Sequence, residues 1–362
     1  MQTTPPSPFA PFYRLAPNRV WRTYLGGRTL EQIGGAAAPA DSHFPEDWLL
    51  STTPARNVGR EEFADEGISR VETADGVRLL PDLVADAPEA FFGAAHFAKY
   101  GAKPGFLLKY LDAAIRLHMQ CHPSIPFAKA HLNSNFGKTE GYYILGVRPG
   151  CEGYVYLGFQ RAPSREEFRR AVVEQDSAAI LSGFDKVPVR PGDCFHVPGG
   201  IPHAIGEGVF MIEMMEPTDF AVRVEFERGG YVLPEAARFM GRDVDFAISM
   251  FDFTSRDLAA TRRAFFVEPA PLPVEGDATR ESLFDERKTA CFRAERLRVD
   301  GSASVAHDGL RVFVVTEGEG RLRAGSGAAL DVRRFDRILI PASTASVRID
   351  GALEIFCASP PK

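Results

Sequence analysis

Arg116-Leu-His-Met-Gln-Cys-His-Pro123 alternates apolar and polar side chains and predicts the β-strand around which the rest of the fold is arranged. Successive side chains of a strand point to opposite faces. One face carries the apolar residues Leu117, Met119 and Cys121. The other carries the polar residues His118, Gln120 and His122. The stretch therefore predicts a strand with one buried face and one polar face that bears ligands.

Two later segments add potential ligands beside tight turns. Gly137-Lys-Thr-Glu140 leads into Gly141-Tyr-Tyr-Ile-Leu145, a predicted strand with Lys138 and Glu140 on the same side. Pro191-Gly-Asp-Cys-Phe-His-Val-Pro-Gly-Gly-Ile-Pro-His203 reads as a turn, a short strand, a second turn and a histidine at a strand start. The candidate ligand set is Gln120, His122, Glu140 and His203, and His118 is expected to be a supporting or surface histidine instead of a fifth ligand.

The chemistry of this ligand set favours a metal site with an open position. Imidazole, carboxylate and amide groups suit Zn²⁺, and also iron, manganese or cobalt. No thiolate belongs to the set, which argues against a closed structural zinc site. Taken one at a time, each residue is better explained as an ordinary polar group of a half-exposed sheet, but four potential ligands on successive strands, each beside a tight turn, favour a metal site.

Composition predicts a cytoplasmic protein that binds neither nucleic acid nor membrane. The chain has 362 residues and a formal net charge of −6, which disfavours a polyanionic partner. The five cysteines are odd in number and contain no C-x-x-C pair, as is typical of a reducing compartment. Residues 1–8 contain no signal sequence, and no apolar run approaches the length of a membrane span.

The coarse pattern predicts a mainly β protein with helical insertions. Helices are expected at about 88–100 and 164–181, and Ser164-Arg-Glu-Glu167 opens the second with a capping box. Residues 1–245 are predicted to form an N-terminal metal-binding domain. Residues 246–265 are predicted as a linker and residues 266–362 as a second β-rich domain.

The second β-block resembles a degraded copy of the first. The step from Asp193 to Pro198 recurs from Asp336 to Pro341, but Ser346 stands where the first copy has His203. Gly318-Glu-Gly320, interpreted as a turn between strands, likewise lacks a histidine pair. The second block is therefore expected to bind no metal, with coincidence as the alternative explanation of so short a repeat.

These motifs resemble those of type I mannose-6-phosphate isomerases, a family of cupins. The resemblance covers residues 19–228 in the order that the family uses. The matching stretches are Gly26-Gly27 with Leu30, Pro45-Glu-Asp-Trp48, Phe106-Leu-Leu-Lys-Tyr-Leu-Asp112, Gln120-Cys-His-Pro123, Gly137-Lys-Thr-Glu140, Pro191-Gly-Asp193 and His203-Ala-Ile-Gly206.

The resemblance implies two cupin-type (jelly-roll) β-barrels, the first metal-binding and the second degenerate. It implies interconversion of mannose 6-phosphate and fructose 6-phosphate through an enediolate, with one Zn²⁺ per chain. The expected partner is thus a small sugar phosphate.

The resemblance also assigns cationic groups to the substrate. Arg223, preceded by Asp219, matches a family arginine that acts on substrate; a surface strand cation is the alternative. Lys109 and Lys138 match family lysines near the substrate. Lys138 is expected either to bind phosphate as a point charge or to act as a base.

Carboxylates complete the expected site. Glu213 matches a family glutamate that acts as general acid and base, and its alternative role is an inward charge paired with Arg223. Glu46 and Trp48 are expected to close one wall of the pocket, although a tryptophan in this position is often a packing residue.

Some positions depart from the family pattern, and two other functions stay open. Gly141-Tyr142 replaces a bulkier aromatic dipeptide, Glu46-Asp-Trp48 replaces the commoner Glu-Ser-Trp, and Arg223-Val-Glu-Phe226 replaces Arg-Leu-Tyr-Asp. These changes predict an altered substrate wall, which permits an isomerase of another sugar or sugar phosphate. The third hypothesis is a sugar-binding cupin without catalytic activity.

Overall fold

Strands dominate the computed structural model, which describes residues 7–362. The predicted absence of a signal sequence in residues 1–8 falls mostly outside the described residues. None of the helices between residues 7 and 362 has the length and apolarity that a membrane-crossing helix needs.

The helices are short, because glycines, prolines and caps interrupt them often. They are α1 (Arg28–Ile33), α2 (Leu80–Val84), α3 (Pro88–Phe92), α4 (Ala94–Tyr100), α5 (Ile125–His131), α6 (Arg165–Glu174), α7 (Ser177–Leu181), α8 (Glu235–Arg238), α9 (Val244–Ser249) and α10 (Leu258–Phe265).

The strands fall into an N-terminal and a C-terminal series. The first comprises β1 (Tyr13–Arg14), β2 (Arg19–Val20), β3 (Glu46–Leu50), β4 (Arg70–Thr73), β5 (Gly76–Leu79), β6 (Leu107–Asp112), β7 (Gln120–Cys121), β8 (Glu140–Val147), β9 (Tyr154–Leu157), β10 (Val187–Pro188), β11 (Cys194–Val197), β12 (His203–Ile205), β13 (Val209–Met215), β14 (Val222–Arg223), β15 (Glu227–Arg228) and β16 (Tyr231–Val232). The second comprises β17 (Ala270–Leu272), β18 (Glu275–Phe284), β19 (Arg293–Ala306), β20 (Arg311–Ala324), β21 (Ala329–Arg333), β22 (Arg337–Ile340) and β23 (Ser346–Ser359).

Three large antiparallel sheets organise these strands. A five-stranded sheet has the order β10-β9-β12-β7-β14, and a six-stranded sheet has the order β11-β8-β13-β6-β3-β2. The eight-stranded sheet contains the C-terminal strands, with β1 from the N-terminus at one edge. Pro271 lies in β17 at the other edge, where a missing backbone N–H is tolerated.

The packing of the sheets explains why a site forms between the five-stranded and the six-stranded sheet. Ile205 of the five-stranded sheet and Ile144 of the six-stranded sheet share one apolar cluster, so these sheets face each other. Helices cover the outer face of the five-stranded sheet, where Phe168 packs in the same cluster as Cys121. Tyr143 joins the opposite face of the six-stranded sheet to the C-terminal strands.

Both predicted helices are broken near their middle. Gly93, with a φ of 92°, separates α3 from α4. Gln175 ends α6 at a φ of 55°, and the side chain of Asp176 then caps α7. The predicted capping box at Ser164 is confirmed. The composition of the two segments is helical, but a left-handed residue in each prevents one continuous helix.

The strand predicted from residues 116–123 is shorter than expected. Only Gln120 and Cys121 form regular strand pairs. Met119 and Cys121 do share the helix-covered face, as the alternation predicts. Leu117 instead packs in the apolar cluster between the two sheets. Its amide donates to the Ile205 carbonyl oxygen outside the regular strand pairing.

The prediction of a turn at Gly318-Glu-Gly320 is wrong. The strand β20 runs through it and shifts register against β23 between Val315 and Glu317. Gly318 has a φ of 74°, and a Cβ there would lie 2.0 Å from the Ala352 carbonyl oxygen. The glycine thus permits a close approach of β23 two residues after the β-bulge at Thr316, a role that sequence alone does not distinguish from a turn.

Gly141 lies at the contact with the C-terminal strands, so its predicted place in the substrate wall is wrong. A Cβ on Gly141 would lie 2.9 Å from Phe284 Cζ and 2.9 Å from Phe292 Cε2. The rings of Phe284 and Phe292 fill the space that a larger residue would need. The neighbouring Tyr142 faces the pocket instead.

Gly141→Val is expected to lower the free energy of unfolding by about 1–3 kcal/mol, because the added methyl groups overpack the rings of Phe284 and Phe292. Gly146→Val is the matched control, since Gly146 lies in the same strand and a Cβ there meets no atom within 4 Å. Urea unfolding of both variants measures the difference. Equal stability of the two variants would contradict the packing described for Gly141.

Candidate metal centre

The five-stranded sheet aligns three candidate site residues on adjacent strands. Gln120 of β7 is paired in register with His203 of β12 on one side and with Arg223 of β14 on the other. Residues directly opposite each other share a face of a sheet. Their side chains therefore lie on the face that looks toward the six-stranded sheet.

The six-stranded sheet supplies the facing charged groups. Glu213 of β13 lies opposite Lys109 of β6 and opposite Tyr142 of β8. Glu140 precedes Tyr142 by two residues and shares its face. The two sheets thus place acidic and basic side chains toward each other across a pocket.

The predicted ligands converge. His122 Nε2 lies 3.0 Å from Glu140 Oε1, and His203 Nε2 lies 3.3 Å from Glu140 Oε2. One ligand atom from each of these residues falls within 4.8 Å of the others. Ligands about 2.1 Å from one ion in a tetrahedral site lie roughly 3.4 Å apart, so the spacing fits a metal.

Gln120 is the fourth predicted ligand and lies at the same centre. Its Nε2 atom is 3.3 Å from His203 Nε2. Because amide nitrogen and oxygen exchange places by rotation of the amide group, the same position can present the oxygen. All four predicted ligands are therefore brought together, and their role as metal ligands stays a proposal.

The histidines are held in the form that binds a metal. His203 Nδ1 donates to the Ile201 carbonyl oxygen at 2.8 Å, so Nε2 is left with a free lone pair. Burial and the nearby Lys138 lower the pKa of His122 to about 3, although Glu140 opposes the shift, so the ring is neutral near pH 7. A neutral imidazole is the metal-binding form.

A close-packed turn fixes His122. The amide of Gly200 donates to the His122 carbonyl oxygen at 2.7 Å. A Cβ on Gly199 would lie 2.4 Å from the Pro123 carbonyl oxygen, so this contact requires glycine. The predicted turn at residues 198–200 thus presses against the chain that carries the first ligands.

Lys138 and Glu140 lie on the same side, as predicted. Lys138 Nζ is 3.1 Å from Glu140 Oε1 and 3.0 Å from His122 Nε2. This amine is therefore part of the same centre. Either predicted role, anion binding or proton transfer, is compatible with this position.

Glu46 anchors a buried network behind the centre. Its carboxylate accepts from Arg22 Nε at 2.9 Å, Lys109 Nζ at 3.0 Å, the Tyr24 hydroxyl at 2.7 Å and Trp48 Nε1 at 2.8 Å. Burial raises the pKa of Glu46, but Arg22 and Lys109 outweigh it and hold the pKa well below its usual range. The carboxylate is therefore ionised and fully hydrogen-bonded.

Trp48, predicted as a substrate-binding residue, does not line the pocket. It is fully buried and packs with Val20, Leu107 and Met215. Its indole N–H donates to Glu46, and Glu46 lines the pocket in its place. This burial favours the packing alternative for the tryptophan.

Glu213 pairs with Lys109 rather than with Arg223. Lys109 Nζ lies 3.2 Å from Glu213 Oε2. Burial and the nearby Glu140 raise the pKa of Glu213 to about 8, although Lys109 opposes the shift. A carboxyl group in this position holds and releases a proton near neutral pH. The alternative of an ion pair with Arg223 is therefore wrong.

The predicted alternation at residues 218–225 holds only in part. Asp219 and Arg223 both line the pocket, but only Val222 and Arg223 form a strand. Glu225 is turned away and binds Arg116 at 2.7 Å. The chain bends on both sides of the short strand, so a strict period of two does not extend along the segment.

Arg22 is a pocket residue that the sequence analysis missed. Its guanidinium lies 3.2 Å from Asp219 and also bonds Glu46, so it links two predicted residues. Tyr24 lies two residues on and shares its face. Arg22 and Tyr24 alternate as polar residues just before Gly26-Gly27, and this pattern could have indicated that both line the pocket.

His118 and Tyr142 also line the pocket without having been assigned to it. His118 was expected to lie outside the ligand set, as a surface or supporting histidine, and it is buried with Nδ1 2.9 Å from the Glu225 carbonyl oxygen. Tyr142 was noted only as a departure from a family motif. The outward or inward direction of such residues depends on the register between strands, which one strand alone does not define.

No known protein-family profile matches the chain. The mannose-6-phosphate isomerase of Streptococcus mutans is 26% identical to it over 358 residues, which cover 94% of this chain and 94% of that protein. A crystal structure of the mannose 6-phosphate isomerase from Bacillus subtilis superimposes with a TM-score of 0.74 at 20% identity, covering 96% of this chain and 99% of that chain. A zinc-bound mannose 6-phosphate isomerase gives a TM-score of 0.73 at 16% identity, covering 98% and 100%. The resemblance inferred from the motifs is confirmed: the chain is similar to mannose-6-phosphate isomerases in sequence and in fold over nearly its whole length.

Proposed function

We propose that the chain is a metal-dependent aldose-ketose isomerase that interconverts mannose 6-phosphate and fructose 6-phosphate. The observation that carries the proposal is the convergence of His122, Glu140 and His203 beside a pocket lined by further charged residues. The relatives named mannose-6-phosphate isomerase support the substrate, and the zinc-bound neighbour supports Zn²⁺ as cofactor. Gln120 would complete the ligand set.

The charge of the pocket supports an anionic substrate. Its lining contains four basic side chains and four carboxylates, which cancel when all are ionised: Arg22, Lys109, Lys138 and Arg223 against Glu46, Glu140, Glu213 and Asp219. A divalent ion would then leave a net positive charge of about two, or about three when Glu213 is protonated as its raised pKa favours, and a phosphate monoester carries −1.5 to −2 at neutral pH. A pocket of this balance favours a sugar phosphate over a neutral sugar.

The reaction moves a proton between two adjacent carbons of the sugar, and the residues fall into roles that suit it. A bound divalent ion supplies positive charge for the sugar oxygens. Glu213, with its raised pKa, is proposed to carry the proton. Arg223, Lys138 and Lys109 are proposed to stabilise the negative charge of the substrate and of the enediolate.

The finer architecture is also a proposal: two cupin-type barrels, an N-terminal one within residues 1–245 and a metal-free one within residues 266–362, joined by residues 246–265. Ser346 begins β23 as His203 begins β12, and each follows a four-residue strand, β22 or β11. The cluster inside the C-terminal strands consists of apolar residues such as Phe313, Ile338 and Ile355. These observations support a shared origin and a second barrel without ligands.

One metal ion per chain is the expected stoichiometry, because the second block offers Ser346 in place of a histidine ligand. Elemental analysis of the purified protein, referred to protein concentration, measures it. A ratio near two would contradict the account of the C-terminal block.

Isomerisation of another sugar or sugar phosphate is the second candidate, and a sugar-binding protein without catalysis is the third. The departure at Gly141 no longer favours the second candidate, because Gly141 contacts Phe284 and Phe292 outside the pocket. Tyr142 still does, since it lines the pocket. The cytoplasmic location stays a prediction.

Steady-state kinetics on mannose 6-phosphate, free mannose and other aldose phosphates tests the substrate. The proposal predicts the highest kcat/KM on mannose 6-phosphate and a large loss on free mannose. Equal rates on mannose and its phosphate would favour the second candidate, and zinc binding without turnover of any sugar would favour the third.

A further inference from the structure

Tyr142 carries a buried hydroxyl that reaches a proposed metal ligand. Its oxygen lies 2.6 Å from Glu140 Oε2, and its side chain is nearly inaccessible to solvent. Glu140 and Tyr142 are two residues apart in β8, so their side chains project from the same face of the strand. The short contact follows from this regular geometry.

The hydroxyl must be the donor in this bond. An ionised carboxylate only accepts hydrogen bonds, so the hydrogen of Tyr142 lies between the two oxygens. Among residues 7–362, Glu140 is the one hydrogen-bond partner of this hydroxyl. Hydrogen bonds to an ionised acceptor are short and strong, as the 2.6 Å distance is.

The bond divides the two carboxylate oxygens of Glu140 between different partners. Oε1 lies 3.0 Å from His122 Nε2 and 3.1 Å from Lys138 Nζ, at the centre of the ligand cluster. Oε2 holds the Tyr142 hydroxyl, with His203 farther away at 3.3 Å. The tyrosine thus fixes the rotation of the carboxylate so that Oε1 is presented toward His122.

We propose that Tyr142 is a positioning residue for the metal: its hydroxyl orients Glu140 and thereby sets the affinity of the centre for a divalent ion. The inference rests on the proposed metal-dependent function. Donors that orient a ligating side chain typically contribute a factor of 10 to 100 in metal affinity.

The neighbouring tyrosine provides a matched control. Tyr143 is also buried in β8, but its hydroxyl points to the other face and donates to Glu354 Oε1 at 2.8 Å. Tyr143→Phe and Tyr142→Phe each remove one buried hydroxyl from the same strand and keep the ring. Only Tyr142→Phe removes a bond to a proposed ligand.

Zinc affinity of the wild type and both variants, measured by competition with a chromogenic chelator, tests the inference. Tyr142→Phe is expected to weaken Zn²⁺ binding by about 10- to 100-fold, and Tyr143→Phe to leave it within a few-fold of the wild type. The visible spectrum of the Co²⁺-loaded proteins is a second readout, expected to change in Tyr142→Phe and to stay unchanged in Tyr143→Phe.

The outcomes distinguish a failure of the proposed metal-dependent function from a failure of the positioning role of Tyr142. A wild-type protein that binds no Zn²⁺ would overturn the proposed function itself. A wild-type protein that binds Zn²⁺ while Tyr142→Phe binds it equally, with the same Co²⁺ spectrum, would overturn only the positioning role. Circular dichroism and thermal unfolding of the chelator-treated variants check that both remain folded, and equal losses in the two variants would also contradict the inference.

Discussion

Glu140→Ala is expected to abolish metal retention and isomerase activity while most of the fold remains. Glu140 contacts both His122 and His203, so its removal takes the only carboxylate from the proposed ligand set. It also leaves Lys138 without the partner 3.1 Å away. The C-terminal strands have their own apolar cluster and should stay folded. His122→Ala is expected to behave in the same way.

Elemental analysis and a coupled assay of fructose 6-phosphate check this expectation. His196→Ala is a suitable control, because His196 lies on β11 outside the ligand cluster and should retain full metal content. A Glu140→Ala protein with full metal content and wild-type turnover would remove Glu140 from the site.

Arg223→Ala is expected to lower kcat by roughly a hundredfold or more, because the loss of one preorganised charge donor costs about 3 kcal/mol of transition-state stabilisation. Arg223 lines the pocket beside Gln120 and is partly buried. Arg223→Lys is expected to recover only part of the rate, since the planar guanidinium is lost.

Kinetics on mannose 6-phosphate measures both variants, and Arg263→Ala on the exposed side of α10 serves as the control for removal of one positive charge. Near-normal kcat in Arg223→Ala would exclude this arginine from the catalytic site. It would also weaken the case for an anionic substrate.

The metal centre was predictable from sequence because each ligand stands beside its own local signal. Glu140 is the first residue of β8, and His203 follows a turn that contains Gly199 and Gly200. Local patterns of this kind encode strand starts and turns directly. The resemblance to a known family added the chemistry that such patterns leave open.

The pocket walls were less predictable because they depend on contacts between distant segments. Trp48 beside Glu46 reads as a pocket residue until the sheet places Glu46 in front of it. Gly141 reads as a wall residue until Phe284, more than a hundred residues away, fills the space at its Cα. Register and long-range packing decide such cases, and neither has a local signal.

The predictions of two continuous helices and of one turn failed for a similar reason. Gly93 and Gln175 adopt positive φ angles inside segments whose composition favours helix. Gly318 permits a close approach of the partner strand where sequence equally suggests a turn. In each case the residue type allows two conformations, and tertiary contacts select one.

Metal removal and readdition tests the central claim most directly. The protein is stripped of metal with a chelator, dialysed and assayed for fructose 6-phosphate formation from mannose 6-phosphate before and after one equivalent of Zn²⁺. The account predicts no activity in the stripped protein and recovery on addition of one equivalent. Full activity without metal, or none after Zn²⁺ is bound, would contradict it.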